Sequence, residues 1–515
     1  MKIAVLSSAS AGGAGIAAYR IFEALSTHHD HSVDFFDMSI LGHASDEVSP
    51  HESVTNRKIT NTHFTADYAS DIRTWLIDML AEYDYLNIQW SSYLLSIVEI
   101  LELARLGKKI LFTLHDFYYI TGGCHYPAGC TGYKNNCIGC PQVNERIYTH
   151  HDVIHALKLK REIFSYSNVH LSAPSNYIVN SAIKSGIIPK ERGHACRNAY
   201  QPTDTHNAAS SDVLSLLLIA DSFLEERKGI ELAINSIKEF CRINQTNSQD
   251  FRLHVVGTCE KDIPALLADS KLSLMLHGHV SEHSKLVAIF QQCQYMLTCS
   301  YEDNWPNILV EAGAYGCIPI VGKGHGCEEF CHEFNTGFIA SQYSSEAFAT
   351  CLSSAANATV KEISAMAESL RQSVRNIHSY TRVSGHYLSI FPEILADENA
   401  RFKYLNKARG EESTCLVSEN FLGQTIRILL VRNNTRNHGF SSIKLNIQDT
   451  PFAITEASSD DDLIVTYDDQ TIQQIHLEPG KDFKLPTCEE SRCIRTIFAL
   501  ASSTFGLREF RVKFE

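Results

Sequence analysis

Four short stretches of this 515-residue chain set acidic, basic and imidazole side chains where a ligand would meet them. In FTLHDFYYITGGCHY, His115 and Asp116 follow the apolar run Lys109 to Leu114 directly, and an imidazole there can hydrogen-bond or move a proton near neutral pH. In ERKGIELAINSI, Arg227 and Lys228 stand just before Gly229, two cations suited to a diphosphate. SYEDNWPNILVEAGAYGCIPIV carries Glu302 and Asp303, then Pro306, Asn307 and Ile308 at a helix start, and Glu311 inside that helix. The fourth stretch is the glycine loop of Gly12, Gly13 and Gly15, whose bare backbone can approach an anion. Each has a plainer alternative: a packed histidine, a solvated Arg-Lys pair, Asp303 as a helix cap, Glu311 as a surface charge, and glycines that serve only tight packing.

A separate cluster, Cys124, Cys130, Cys137 and Cys140, has the spacing C-x5-C-x6-C-x2-C in a loop rich in Gly and Asn. The last pair has the bite of a tetrahedral zinc site, so the loop reads as structural. Zinc, paired disulfides and reduced packing thiols all remain open.

The elements that position these groups are legible from the apolar pattern. Lys2 to Ser7 reads as a buried strand, the glycines as a turn, and Ile16 to Leu25 as a helix. Further apolar runs at Tyr83 to Gln89, Lys109 to Leu114, Val169 to Ala173, Leu214 to Ala220, Arg252 to Val256, Tyr295 to Cys299 and Ile318 to Val321 alternate with helical patterns. This predicts an α/β architecture with parallel sheets, and His115 and the acidic loop at carboxyl strand ends, where such sheets bind ligands. QPTDTHNAASSD reads as a linker, placing a boundary near residue 205 between a first unit, 1–205, and a second, 206–380. After about residue 400 the style becomes short β runs broken by Asn, Asp, Gly and Pro, so 403–515 reads as an antiparallel module of sandwich type.

Composition sets outer limits. Hydrophobic residues are 44% and charged residues 20%, as in globular chains. A formal charge of −14 argues against a protein built to bind nucleic acid. The N-terminal run does not read as a secretory leader, nor does any apolar run suit a membrane span; the expectation is a cytoplasmic protein whose membrane contact, at the inner face, is peripheral. Most of the 16 cysteines are therefore expected to be reduced.

The GGAG loop, LHDFYYITGGCHY, the RKG turn, EDNWPNILVEA with GCIPIV, and TGFIA together resemble glycosyltransferase family 4 over roughly residues 1 to 395. TRVSGHYLSIF resembles the family's late helix, which crosses back to the first domain near 381–397. The resemblance implies the GT-B fold, two facing Rossmann-like domains, with the acceptor on the first and a nucleotide-sugar donor (UDP- or GDP-sugar) on the second. It further implies that Gly12 and Gly13 lie near the donor phosphate, His115 beside the transferred sugar, Lys228 with Arg227 on the diphosphate, Glu311 on the ribose, and the backbone of Asn307 and Ile308 on the phosphates. Three positions depart from the family pattern. Asp303 stands where the first acid of E-x7-E belongs, with Glu302 beside it; Ser222 replaces an arginine; and Arg197, Asn198, Ala199 replaces an Asn-Gly pair.

The activity implied is transfer of a sugar, with retention at the anomeric carbon, to a glycan or lipid-linked acceptor in cell-surface polysaccharide synthesis. Lys228, Arg227 and helix amides would meet the charge growing on the leaving diphosphate, so no metal or other cofactor is required for catalysis. Rival readings are a GT-B phosphorylase or epimerase, or a non-catalytic glycan-binding or assembly protein whose β module is the active part.

Overall fold

The structure, a computed structural model, describes residues 1–42, 64–66, 72–143, 148–203, 213–223, 225–244, 251–258, 263 and 272–395, and beyond these the backbone of nine strands between 414 and 514. The first half is built on strands β1 (Lys2–Leu6), β2 (Ser32–Phe36), β3 (Tyr85–Ile88), β4 (Lys109–Thr113), β5 (Val169–Ala173) and β6 (Gly193–Ala195). They pair parallel in the order β2-β1-β3-β4-β5-β6. Helices α1 (Gly12–Ser26), α2 (Met38–Leu41), α3 (Thr74–Ala81), α4 (Ile97–Arg105), α5 (His150–Ser165) and α6 (Asn176–Lys184) connect them. Parallel strands need such crossovers, and sheets covered on both faces bury their strands, as in β3 and β5 throughout and in β1 and β4 beyond their first lysine. Local chemistry sets the helix starts: Ser96 with Glu99, and Thr149 with Asp152, close capping boxes on α4 and α5.

The second half repeats the plan with β7 (Leu214–Ser222), β8 (Phe251–Thr258), β9 (Ser273–Gly278), β10 (Tyr295–Thr298), β11 (Ile318–Gly322) and β12 (Phe338–Ala340), ordered β12-β11-β10-β7-β8-β9 and parallel throughout. Its helices are α7 (Ile230–Asn244), α8 (His283–Phe290), α9 (Asn307–Gly313), α10 (His325–Glu333), α11 (Ser345–Ala356) and α12 (Val360–Ile377). Helix α13 (Tyr380–Ile390) then leaves this half and packs on α1, its Val383, Tyr387 and Ile390 sharing one core with Ile3, Val5 and Ile21. Tyr380 Oη donates to Glu23 at 2.7 Å, fixing the return. The parallel sheets expected from the sequence are present, each with six strands; β2, β6, β9 and β12, short or half-buried strands, were not legible as apolar runs.

The linker segment 204–212 lies outside the described residues. Beyond residue 413 the described backbone comprises strands β13 to β21, from Thr414–Phe421 to Arg511–Phe514, paired antiparallel in one sheet of six and one of three.

Candidate active site

The carboxyl ends of the two sheets face each other across a cleft of about 420 Å³, lined among others by Gly13, His115, Arg227, Lys228, Asp303, Asn307 and Glu311. Residues separated by hundreds of positions thus converge where open α/β sheets bind ligands.

On the second half, Gly229 makes the basic turn possible. Its φ is +64°, and a Cβ would stand 2.1 Å from the Cys299 carbonyl oxygen. The turn buries Arg227. Its Nε and Nη2 donate to Glu225 at 2.9 and 2.7 Å, and Nη1 donates to the Glu302 carbonyl at 2.7 Å and to Asp303 at 3.3 Å. Arg227 is thereby a brace with most of its donors committed, rather than a side chain reaching for a diphosphate as expected from the sequence. Lys228, one quarter exposed, sets Nζ 2.9 Å from Asp303 Oδ2 and lines the cleft beside the more deeply buried Arg227. Burial alone would raise the Asp303 pKa; Lys228 and Arg227 outweigh it and hold the carboxyl below its ordinary range. Helix α10 supports this loop from beneath: Gly326 N–H donates to the Asp303 carbonyl at 2.9 Å, and a Cβ there would lie 1.4 Å from the Asn304 carbonyl oxygen.

Glu311 and Asn307 look toward the first half. Glu311 Oε1 pairs with Arg20 Nη1 of α1 at 2.7 Å, both side chains largely buried. Asn307 Nδ2 donates to the Gly13 carbonyl at 2.7 Å, while its Oδ1 accepts from Asn198 Nδ2 at 2.7 Å. Gly13 and Ile308 line the cleft. Two expected site residues stand apart from that lining: Gly12 begins α1 with φ +73°, and Glu302 turns its Oε2 to the Ala128 N–H at 2.8 Å, tying the cysteine loop to the second half. Asn304 adds a further tie, donating from Nδ2 to the Leu114 carbonyl at 3.1 Å and accepting from Ser175 Oγ. At the rim, Glu329 of α10 accepts the backbone N–H groups of Asn176 and Tyr177 at 2.8 and 2.9 Å and pairs with Arg197 at 3.1 Å.

On the first half, His115 Nε2 stands 2.7 Å from Gln89 Oε1, and Gln89 is held in turn by Asn87 at 2.6 Å. Burial pushes the His115 pKa down to about 4, against the opposing pull of Asp116. The imidazole is therefore neutral at pH 7, with its proton on Nε2 when Gln89 accepts, leaving Nδ1 as an acceptor. Asp116 caps the Tyr118 N–H at 2.8 Å and lies 2.7 Å from His125 Nδ1. That ion pair keeps the buried carboxyl below its ordinary pKa although burial works the other way.

The four cysteines line one cavity of about 70 Å³ beside the cleft. Cys137 Sγ accepts the Gly122 N–H and Cys130 Sγ the Gly132 N–H, both at 3.3 Å. Beneath the loop, fully buried Lys160 donates to the carbonyls of Tyr118 and Thr121 at 2.6 and 3.1 Å. Among the described residues no three His, Cys, Asp or Glu side chains are grouped so as to hold a metal ion.

Two facing α/β sheets, a cleft across their carboxyl ends, and a terminal helix that returns to the first half define a two-domain protein of GT-B architecture. Residues 215–372, most of the second half, match the family model "Glycosyl transferases group 1". A relative named for colanic acid biosynthesis, the glycosyl transferase WcaC of Escherichia coli, is 25% identical over 224 residues, 41% of this chain and 51% of that protein. The chain thus spans about half the length of the curated relative it matches. Among solved structures, a glycosyltransferase from Rickettsia africae superposes with a TM-score of 0.51 at 15% identity, covering 77% of this chain and 99% of that one. HepE of Anabaena, in complex with UDP-glucose, gives 0.50 at 14% identity over 76% and 100%. At such identities these likenesses establish the fold.

Tyr126, Gln89 and Arg20 belong to the cleft or brace its residues, and sequence reading did not find them. Of the three, only Tyr126 lay inside a recognised motif, the end of GGCHY.

Proposed function

We propose that this chain is a glycosyltransferase that moves a sugar, with retention, from a nucleotide-sugar onto a glycan or lipid-linked acceptor in cell-surface polysaccharide assembly. The observation that carries the reading is the cleft itself: Lys228 and Glu311 on one wall and neutral His115 on the other stand around a space of about 420 Å³. Lys228, fixed by Asp303 and Arg227, is preorganised for the charge that grows on a leaving diphosphate. Glu311 takes the ribose hydroxyls. His115, with Nδ1 as acceptor, sits at the sugar. Asp303 takes the place of the acid that opens the family's E-x7-E pattern, and its pairing with Lys228 makes it a positioning group for that cation. The family match over 215–372 and the name of the E. coli relative support the reaction class and its setting, and the UDP-glucose complex of HepE supports a nucleotide-sugar donor.

No helix among the described residues is long and apolar enough to cross a membrane, consistent with peripheral access to a lipid-linked acceptor. The β module, on this reading, helps hold the acceptor. The test is a screen of UDP- and GDP-sugars by nucleoside diphosphate release, with and without acceptor glycans. Release that depends on acceptor identifies the transferase and its donor; turnover that needs inorganic phosphate, or no acceptor at all, would replace this reading with a phosphorylase or epimerase.

A further inference from the structure

The four-cysteine loop has so far no part in the reaction, yet it carries one side chain into the cleft. Tyr126 lines the cleft together with His115, Asp116 and Asp303. Its ring lies over Arg227, whose guanidinium carbon stands 3.8 Å from the ring centroid. Arg227 is the brace that holds Asp303, and Asp303 fixes Lys228, so the ring closes one face of the cation from which the donor-side machinery hangs. The next contact of the loop, Ala128 N–H on Glu302, lies two residues away and locks the loop to the same acidic segment.

The hydroxyl is the part without a structural task. It makes no hydrogen bond to any described residue, while its neighbours have partners: Asp116 in His125 and the Tyr118 N–H, Asp303 in Lys228 and Arg227, His115 Nε2 in Gln89. Burial, together with the carboxylates of Asp303, Asp116 and Glu225, raises the phenol pKa, so Tyr126 is a neutral donor at any physiological pH. Tyr126 is half-buried, its ring covered and its hydroxyl open to the cleft. An uncommitted phenol, facing a cavity at the end where His115 stands, is suited to a ligand hydroxyl.

Resting on the reading of this cleft as a nucleotide-sugar site, we propose that Tyr126 is a specificity-determining residue which hydrogen-bonds a hydroxyl of the transferred sugar, with the four-cysteine loop as its mount. The hydroxyl is assigned to the sugar and not to the nucleotide, and this separates the proposal from the general donor reading.

The experiment compares binding of UDP with UDP-glucose, and of GDP with GDP-mannose, by titration calorimetry on wild type, Tyr126→Phe and Lys228→Ala. Tyr126→Phe keeps the ring over Arg227 and removes only the oxygen. It is expected to bind the nucleoside diphosphate as wild type does, while the nucleotide-sugar weakens about fivefold to tenfold, the loss of one hydrogen bond. Lys228→Ala is expected to weaken the diphosphate itself. If Tyr126→Phe retains the wild-type ratio of the two affinities while Lys228→Ala loses diphosphate binding, the tyrosine assignment is wrong and the donor cleft stands. If wild type binds neither pair, the donor reading falls and this proposal with it.

Discussion

Arg20 and Glu311, 291 positions apart, meet at 2.7 Å across the cleft, so the carboxylate assigned to the ribose is already engaged by a cation from the opposite half. Removing Arg20 leaves a largely buried charge without its partner. Arg20→Ala is therefore expected to lose roughly 1–3 kcal/mol of stability without ligand. A ribose hydroxyl would repair part of that loss. Thermal melts with and without UDP check this: the variant should gain more from nucleotide than wild type does. An equal or smaller gain would place the ribose away from Glu311.

Lys228 and Glu311 are given different tasks on one donor and should fail differently. Lys228 meets charge that grows as the bond breaks, so Lys228→Ala should lower kcat and kcat/KM together by about 10² or more. Glu311 meets hydroxyls that do not change during reaction. Glu311→Gln should act mainly through donor KM, by roughly 1–3 kcal/mol. Steady-state kinetics over a donor titration, with circular dichroism to show folding, distinguishes the two. Wild-type values for both folded variants would mean that the cleft is misassigned.

Four histidines, His115, His170, His254 and His378, have their pKa pushed down to about 4, in each case mainly by burial. Two of them stack against a second histidine, His170 on His194 at 3.0 Å and His254 on His277 at 3.1 Å between ring nitrogens. Unfolded, each would titrate near 6.5. As pH falls below 6.5 the unfolded chain takes up protons that the folded one refuses, so stability is full above that pH and declines down to about 4. Melting temperature should drop steadily from pH 7 to 4.5, and His254→Asn should reduce the slope. A flat profile would mean that these rings are charged in the folded state.

For the cysteine loop, burial pushes the Cys137 thiol up to about 11, so it is protonated at neutral pH, and the described residues group no three His, Cys, Asp or Glu side chains for a metal ion. Protein purified without chelator is expected to hold less than one zinc per chain and to show thiols at all four positions once denatured. Stoichiometric zinc, released when the thiols are blocked, would establish the metal site instead.

A chain ending at residue 400 should transfer sugar to a short acceptor at the full rate and lose rate on a long one, if the β module holds acceptor. Equal activity on both would leave the module a stabilising appendage.

Much of the fold was legible because its central strands are buried on both faces and so appear as largely apolar runs; β4 and β5 stand within a residue of where their runs predict. His115 and Asp303 were legible because each follows such a run closely, Lys228 because it stands just before a glycine turn, and Glu311 through the resemblance to the E-x7-E pattern. Arg20 was not: it lies mid-helix in α1, where a basic residue is ordinarily a solvated face, and only the folded chain shows its partner. Arg227 looked like half of a phosphate-binding pair because sequence cannot show how many donors the fold has already used. Edge strand β2, SVDFF, has no fully buried residue and therefore no apolar signature.

The contact between Glu329 and the first turn of α6 sets a condition on how the molecule breathes. A helix leaves its first backbone N–H groups unsatisfied by its own carbonyls, and here two of them are served by a carboxylate rooted in the other half. Any hinge motion wide enough to admit a bulky substrate must uncap that helix and, in the same stroke, part Glu329 from Arg197. Opening and the fraying of α6 are thus one event, and amide exchange at Asn176 and Tyr177 would act as a clock for it.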